Sequence, residues 1–260
     1  MTDWSHFLSA LTLAGVRVSG MVAFAPFFSS NALPVRTKAV FVLAVSYLLA
    51  PLVAALPNAH VEISYEGVIG EMGVGILYGL TLALLNEMLL FTGQIMGAQL
   101  SFSLVNLMDP TSPIQTPLLG DLFQVFGIMV LITAGLDRIL LASMIRSFRA
   151  VPLGGFALSQ PSALGVVRAA GGVFLAAAEL AAPVMAATML VEVTVALLGK
   201  LSPQLPVMSL TVPVKTLAGF LVLVGSLAVW PRFIESHFAG LLDYAQALIA
   251  GSVTAHGGKG

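Results

Sequence analysis

Long apolar stretches dominate the sequence, and short polar or proline-containing stretches separate them. A helix needs about 20 apolar residues to cross the hydrocarbon core of a bilayer. Three stretches have roughly that length. The third and fifth cover 42 and 36 residues, so each has to extend beyond the bilayer, bend or form a hairpin. The pattern predicts six apolar helical segments, at 7–28, 35–56, 67–108, 118–145, 163–198 and 207–230.

A polar, proline-rich segment interrupts this pattern at residues 102–117, from the end of the third stretch to the start of the fourth. Pro110, Pro113 and Pro117 fall within eight residues and exclude a continuous helix there. In a membrane protein, non-helical backbone persists only where protein buries it or where it lines an aqueous path. The segment is therefore the first candidate for a functional site.

Glycines recur at four-residue spacing in the third stretch, as Gly75 with Gly79 and as Gly93 with Gly97. Residues four apart lie on one face of a helix, and glycine there lets a second helix approach closely. The spacing predicts tight helix packing rather than a ligand site. In the fifth stretch, Pro183 is expected to kink the helix near Glu179.

The composition indicates an integral membrane protein or a subunit of a membrane-associated assembly. The chain is 58% hydrophobic and only 9% charged, with a net charge of -1. Ordinary soluble domains carry about 25% charged residues. A chain without cysteine forms no disulfide or cysteine-ligated metal site, and the four histidines are scattered. We therefore expect no cofactor, no metal site and no nucleic-acid partner.

At least nine ionisable residues nevertheless lie inside the apolar stretches. Each would cost roughly 2.5–3.5 kcal/mol if it faced lipid at the middle of the bilayer. They should therefore face protein or water, either as polar contacts within a large assembly or, less favoured because the carboxylates are dispersed, as an ion relay. The nine are Arg17, Glu71, Glu87, Asp121, Asp137, Arg138, Glu179, Glu192 and Lys215.

The basic residues show no clear orientation signal. If the six stretches are simple spans, four Lys and Arg residues fall on one side and five on the other. Multispanning proteins normally carry an excess of Lys and Arg on the cytoplasmic side. Either a span boundary is misplaced or partner subunits set the position of the chain, and the sequence leaves both interpretations open.

The segment 200–215 joins the fifth and sixth stretches. Pro203, Pro206 and Pro213 are expected to keep it extended, yet it retains many apolar residues. A docking surface for a partner and a buried turn within the chain's own fold are equally compatible with this pattern. Phosphate-binding loops, Gly-x-Ser-x-Gly elbows and His-Glu-x-x-His motifs do not occur in the sequence, so an enzyme is not expected.

Together these segments resemble the FliR/SctT family, a component of type III export gates, and most closely its flagellar members. The resemblance is carried in order by Arg17-Val-Ser-Gly-Met-Val-Ala-Phe-Ala-Pro-Phe-Phe28, Leu33-Pro-Val-Arg-Thr-Lys38, Gly93-Gln-Ile-Met-Gly-Ala-Gln99, Met108-Asp-Pro-Thr-Ser-Pro-Ile-Gln-Thr-Pro117, Gly135-Leu-Asp-Arg138, Ser147-Phe-Arg-Ala-Val-Pro-Leu-Gly154, Leu201-Ser-Pro-Gln-Leu-Pro-Val207 and Val212-Pro-Val-Lys215.

The resemblance implies an all-α, membrane-associated fold of long, kinked helical hairpins. Residues 1–160 would form a part similar to FliP, 161–235 a helical hairpin similar to FliQ, and 236–260 a C-terminal tail. The family packs in a helical hetero-oligomer with several copies of FliP and of FliQ, and FlhB wraps its cytoplasmic entrance. The implied location is the bacterial inner membrane, in the flagellar basal body, where unfolded export substrates pass through the channel.

The resemblance also implies roles for individual residues. Asp109 is expected to cap the turn before Pro110, and Pro113, where the family often has glycine, would stiffen the segment. The expected pore plug consists of Asn106, Met108, Asp109, Pro110, Thr111, Pro113, Gln115, Thr116 and Pro117. The expected cytoplasmic tip, which docks partners, consists of Lys200, Gln204, Pro206, Pro213 and Lys215. Buried polar contacts between subunits are expected at Arg17, Glu87, Asp137, Arg149 and Glu192.

Three other functions remain compatible with parts of the pattern. One is the equivalent gate subunit of a virulence secretion system. Another is a secondary transporter for a small solute, which broken helices and intramembrane carboxylates would suit, although the inverted repeat typical of such carriers is not visible. The last is a scaffold subunit that does not line a channel.

Overall fold

The computed structural model describes residues 2–24, 34–57, 59, 61–101, 118–155, 160–202, 204 and 207–254. Within these ranges the regular structure is entirely helical, which confirms the all-α prediction. The helices are α1 (Thr2–Phe24), α2 (Val35–Ala54), α3 (Tyr65–Gln99), α4 (Leu118–Thr133), α5 (Leu136–Ala150), α6 (Gln160–Leu201), α7 (Val207–Ser226) and α8 (Trp230–Thr254).

In the described part of the chain, five helices are long and apolar enough to cross a membrane: α1, α2, α3, α6 and α7. The pair α4 and α5 would add a sixth span if the two together crossed once. The two overlong apolar stretches are single helices of 35 and 42 residues, not hairpins. At 1.5 Å per residue they measure about 52 and 63 Å, so both are longer than the hydrocarbon core, which is about 30 Å thick. Helix α6 continues through Pro183, and the kink expected there stays a prediction.

The prediction of one segment at 118–145 is wrong, because the chain breaks after Thr133. Gly135 has φ +69°, in the left-handed region that glycine occupies without steric cost, and its N–H donates to the Ile132 carbonyl over 3.1 Å. A tight turn thus ends α4 and starts α5. Much of the expected C-terminal tail is also helical, because α8 continues to Thr254.

One compact unit comprises Met1–Leu85, Leu131–Gly171 and His237–Gly260. Its helices α1 and α3 pack at glycines: a Cβ added to Gly20 would lie 2.9 Å from the Gly75 carbonyl carbon, and one added to Gly79 would lie 2.8 Å from the Gly20 oxygen. The predicted tight packing at Gly75 and Gly79 is confirmed. Helix α8 packs on the start of α6, where the Tyr244 hydroxyl donates to the Gly165 carbonyl over 3.0 Å.

A second compact unit comprises Asn86–Val130 and Gly172–Ser236. In its core the Phe123 and Trp230 rings pack edge to face with centroids 4.6 Å apart, and near its surface the half-buried Phe91 meets the exposed Phe174 over 4.8 Å. The division of the chain at 160 and 235 that the family resemblance implies stays a prediction.

Candidate functional site

The proline-rich break separates α3 from α4, as the sequence predicts. Helix α3 ends at Gln99 and α4 begins at Leu118. The nine residues expected to form the plug lie outside the described residues, and the described part of the site consists of the two helix ends that flank the segment. The nine are Asn106, Met108, Asp109, Pro110, Thr111, Pro113, Gln115, Thr116 and Pro117.

The end of α3 is held by side chains from α6 and α7. The Thr188 hydroxyl of α6 lies 3.1 Å from the Gln99 side-chain oxygen and 3.0 Å from two carbonyls of its own helix, and the Thr216 hydroxyl of α7 donates to the Leu100 carbonyl over 3.1 Å. The Leu100 side chain is buried. Ser101 follows with φ +65°, a left-handed conformation that is uncommon for a residue with a Cβ. The chain therefore leaves α3 from a fixed point and in a fixed direction.

Helices α6 and α7 form the antiparallel hairpin that holds this point. Lys215 of α7 forms an ion pair with Glu192 of α6. A Cβ on Gly219 would lie 3.2 Å from the Thr188 methyl group and would also clash with the Leu100 side chain. Lys215 thus pairs with Glu192, and Gly219, four residues later in α7, pairs with Thr188, four residues earlier in α6. The two helices are therefore antiparallel. Gly219 makes room for Leu100 between the two helices.

The other end of the break lies against α3. A Cβ on Gly93 would clash with the Gly120 backbone, and a Cβ on Gly127 would clash with the Leu89 side chain. The predicted tight packing at Gly93 is therefore confirmed, whereas a Cβ on Gly97 meets nothing within 4 Å. The chain that leaves α3 returns to it within two turns of the helix end, so both ends of the break lie on one packed base.

This base suits the positioning of a segment. Its hydroxyl and amide groups bind one another or a backbone carbonyl, which holds the chain in place. Among the residues that the structure describes, no three His, Asp or Glu side chains lie close enough together to hold a metal ion.

The expected cytoplasmic tip is only partly a loop. Lys200 lies in the last turn of α6 and is exposed, as is Gln204, while Pro206 falls outside the described residues. The prediction that the chain stays extended to residue 215 is wrong, because α7 begins at Val207 and contains Pro213 and Lys215. The apolar residues of this segment form a helix that pairs with α6, and the helix accommodates Pro213. The docking role of the five residues stays a prediction.

Arg17 does not lie between subunits as expected, because its own chain buries it completely. Its guanidinium donates to both carboxylate oxygens of Glu71, over 2.5 and 3.0 Å, and to the Ser147 and Val151 carbonyls over 3.2 and 2.8 Å. The Phe148 ring centroid lies 4.3 Å from the guanidinium carbon. The cation thus joins α1, α3 and the end of α5 inside the first unit.

Glu71 has a further partner, since one of its oxygens accepts the Gly154 N–H over 2.9 Å. The ion pair therefore also fixes the turn that follows α5. The remaining charges expected to contact other subunits are exposed on the chain at Glu87, Arg149 and Glu192, and nothing is described of the Asp137 side chain. Contacts of these four with other subunits stay predictions.

Comparison with known proteins supports the family resemblance over nearly the whole chain. The model of the family described as bacterial export proteins, family 1, matches residues 8–241. The flagellar biosynthetic protein FliR of Escherichia coli (strain K12) is 22% identical over 252 residues, which cover 95% of each chain. FliR of Bacillus subtilis (strain 168) is 23% identical over 251 residues, covering 93% of this chain and 95% of that one.

A third relative, the flagellar biosynthetic protein FliR of Buchnera aphidicola subsp. Acyrthosiphon pisum (strain APS), is 26% identical over 233 residues, covering 88% of this chain and 89% of its own. These matches include α3, the break that follows it and the hairpin that anchors it. The chain belongs to family 1 of the bacterial export proteins.

Proposed function

We propose that the chain is a structural and gating subunit of the flagellar type III protein export gate in the bacterial inner membrane. The observation that carries the proposal is the packed base of the proline-rich break. The α6–α7 hairpin holds the start of the break at Leu100, and Gly120 brings its end back against α3. A segment held in this way can close a channel without being part of a helix or sheet.

The proposed assembly contains several copies of FliP and of FliQ, with FlhB at the cytoplasmic entrance near Lys200 and Gln204. Support comes from the family membership and from the names of the relatives, all of which are flagellar biosynthetic proteins. The exposed apolar faces of α6 and α7 also favour an assembly, since such surfaces must be covered by lipid or protein. Unfolded flagellar proteins would be the export substrates.

Native mass spectrometry tests the assembly. The tagged chain is expressed with its genomic neighbours, and the detergent-extracted complex is weighed. We expect one copy of the chain bound to several copies of two other small membrane proteins. A monomer or homodimer that remains stable without those neighbours would overturn the proposal.

Conductance measurements test the plug. Deleting residues 110–116 should leave the assembly intact, as checked by native mass spectrometry, and should make the membrane permeable to small solutes. An unchanged conductance in a fully assembled complex would show that the segment does not close a channel.

The anchor provides a finer test with matched threonines. Thr216→Val removes the hydroxyl that donates to the Leu100 carbonyl, so we expect a smaller leak than after the deletion. Thr194→Val is the control, because the exposed Thr194 hydroxyl donates only to the Leu190 carbonyl of its own helix. Equal leaks from both variants would contradict an anchoring role for Thr216.

A further inference from the structure

Helix α5 has one buried face and one exposed cationic face. The buried residues, at most 4% exposed, are Leu140, Ser143, Met144, Ser147 and Phe148. On the opposite side, the helical repeat of 100° per residue places four exposed residues along one line. The line consists of Arg138, Ala142, Ile145 and Arg149, and Leu141 and Arg146, also exposed, flank it.

The exposed face of α5 carries three arginines, whereas the helix contains one carboxylate, Asp137 at its start. No Asp or Glu occurs between Arg138 and Gly155. The ion pairs found in the described part of the chain are Arg17–Glu71 and Lys215–Glu192, and neither involves an arginine of this face. A guanidinium binds a phosphate through two parallel hydrogen bonds, so three of them form a surface suited to phosphate groups.

The apolar residues of the same face favour a lipid ligand over an acidic protein. Ile139, Leu141 and Ile145 are 38–46% exposed and lie beside the arginines. A short, cationic, amphipathic helix with this arrangement typically lies in the plane of a membrane interface, where apolar side chains enter the acyl boundary and arginines reach the headgroups. An acidic protein surface would pair the arginines but would leave these apolar side chains against polar groups.

The rest of the chain brings α5 to a bilayer. Five of its described helices are long and apolar enough to span, whereas α5 has 15 residues, three of them exposed arginines. We propose that the outer face of α5 binds the headgroups of anionic phospholipids at the membrane surface. Arg138, Arg146 and Arg149 bind the lipid phosphates, and Leu141 and Ile145 enter the interface beneath them. The helix thereby fixes the depth of the first unit in the bilayer.

A single spin label tests where this face lies. The chain has no cysteine, so Ala142→Cys creates a unique attachment site in the centre of the face. Ala239→Cys, at an exposed alanine of α8, is the matched control. The full chain, purified with its partners, is placed in nanodiscs of phosphatidylglycerol or of phosphatidylcholine. Collisions with molecular oxygen and with a water-soluble nickel chelate then report lipid and water around the label.

We expect the label at position 142 to meet oxygen more often than nickel, and to move toward water when phosphatidylcholine replaces phosphatidylglycerol. The label at position 239 should not respond to this exchange. Access to nickel in both lipids would place the face in water, and exclusion of both reagents would place it against protein. Either result would overturn the proposal.

Lipid binding by the same complex tests the arginines. Phosphatidylglycerol is titrated into the detergent-solubilised complex, and bound lipid is counted by native mass spectrometry. Arg146→Gln should lower the affinity for phosphatidylglycerol about fivefold, and replacing all three arginines roughly 100-fold. Arg232→Gln, at an exposed arginine of α8, is the control and should leave it unchanged. Equal losses for Arg146→Gln and Arg232→Gln, or no loss in the triple variant, would refute a specific site on α5.

Discussion

Replacing Glu71 by Gln should destabilise the first unit far more than the same substitution at Glu192. Both carboxylates form an ion pair with a basic residue of another helix. The side chains of Arg17 and Glu71 are fully buried, whereas those of Lys215 and Glu192 are 10% and 49% exposed. The two variants thus remove the same charge in two different environments.

The structure sets the size of the difference. Glu71→Gln leaves the Arg17 cation buried without a counter-ion and weakens the acceptor for the Gly154 N–H. Breaking a buried pair by removing one partner costs about 3–5 kcal/mol, which lowers the folded-to-unfolded ratio by a factor of roughly 100 or more. The Glu192 side chain is 49% exposed and its charge is screened by the surroundings, so Glu192→Gln should cost clearly less, although the Lys215 side chain is only 10% exposed.

A cysteine at position 46 can report the unfolding of this unit. The Ser46 side chain is buried on α2, and its hydroxyl has no hydrogen-bond partner in the described part of the chain, so the nearly isosteric Ser46→Cys should be tolerated. Maleimide labelling of the full chain during titration with sodium dodecyl sulfate gives the unfolding midpoint. Glu71→Gln should shift the midpoint strongly and Glu192→Gln little. Equal shifts for the two variants would refute the assignment of the buried pair as the stabilising one.

Four further substitutions test the base of the break, each measured as the amount of chain retained in the membrane and its resistance to heat in detergent. Gly93→Leu should destabilise the chain by several kcal/mol, because the leucine side chain would overlap the Gly120 backbone. Gly97→Ala should be neutral or stabilising by up to about 1 kcal/mol, because its Cβ meets no neighbouring atom. Equal effects of the two substitutions would refute the α3–α4 contact. Ser101→Gly should be tolerated or stabilising, and Ser101→Val should lower stability by about 1–2 kcal/mol, because the backbone at this position is left-handed. A valine variant that is more stable than the glycine variant would contradict that conformation.

The apolar pattern of the sequence predicts most of the helices because spanning helices must be long and apolar. The starts of α2, α4 and α7 coincide with those of the corresponding stretches. The length of apolar stretches does not predict α8, because its apolar residues recur every three or four positions between polar ones and form no long run. Its buried face consists of Trp230, Ile234, Phe238, Leu242, Ala245 and Ile249. A search for amphipathic periodicity, in addition to apolar length, would have found it.

The anchors of the break could not be predicted from the sequence. Thr188 and Thr216 each lie among apolar residues in a helix, where a threonine hydroxyl commonly binds the carbonyl of the preceding turn. Thr81 and Thr92 make such bonds here, to Leu77 and Met88, and Thr188 makes one to Val184 in addition to its contact with Gln99. Only the packing of the hairpin against α3 distinguishes the anchoring threonines from the others. The break itself was predictable because proline acts on the local backbone.

The partner of Arg17 could not be predicted from the sequence either, although Arg17 and Glu71 are both recognisable there as charges inside apolar stretches. Arg17 and Glu71 are 54 residues apart, and several other carboxylates were equally available as partners. The choice depends on the close approach of α1 and α3 at Gly20 and Gly75, which places the two charges side by side. Apolar surroundings require such a charge to be paired, but the fold selects the partner.

The α6–α7 hairpin gives the strongest physical reason why the chain should function inside an assembly. The chain itself buries 28% of the apolar segment of α6 and 11% of that of α7, whereas it buries 56% of the apolar segment of α3. Lipid could cover an apolar hairpin, but Glu192 is half exposed and carries a charge that is costly to place against lipid. Protein or water must therefore cover the side of the hairpin that carries this pair. Neighbouring export-gate subunits are the proposed cover, and the same hairpin holds the start of the proposed plug.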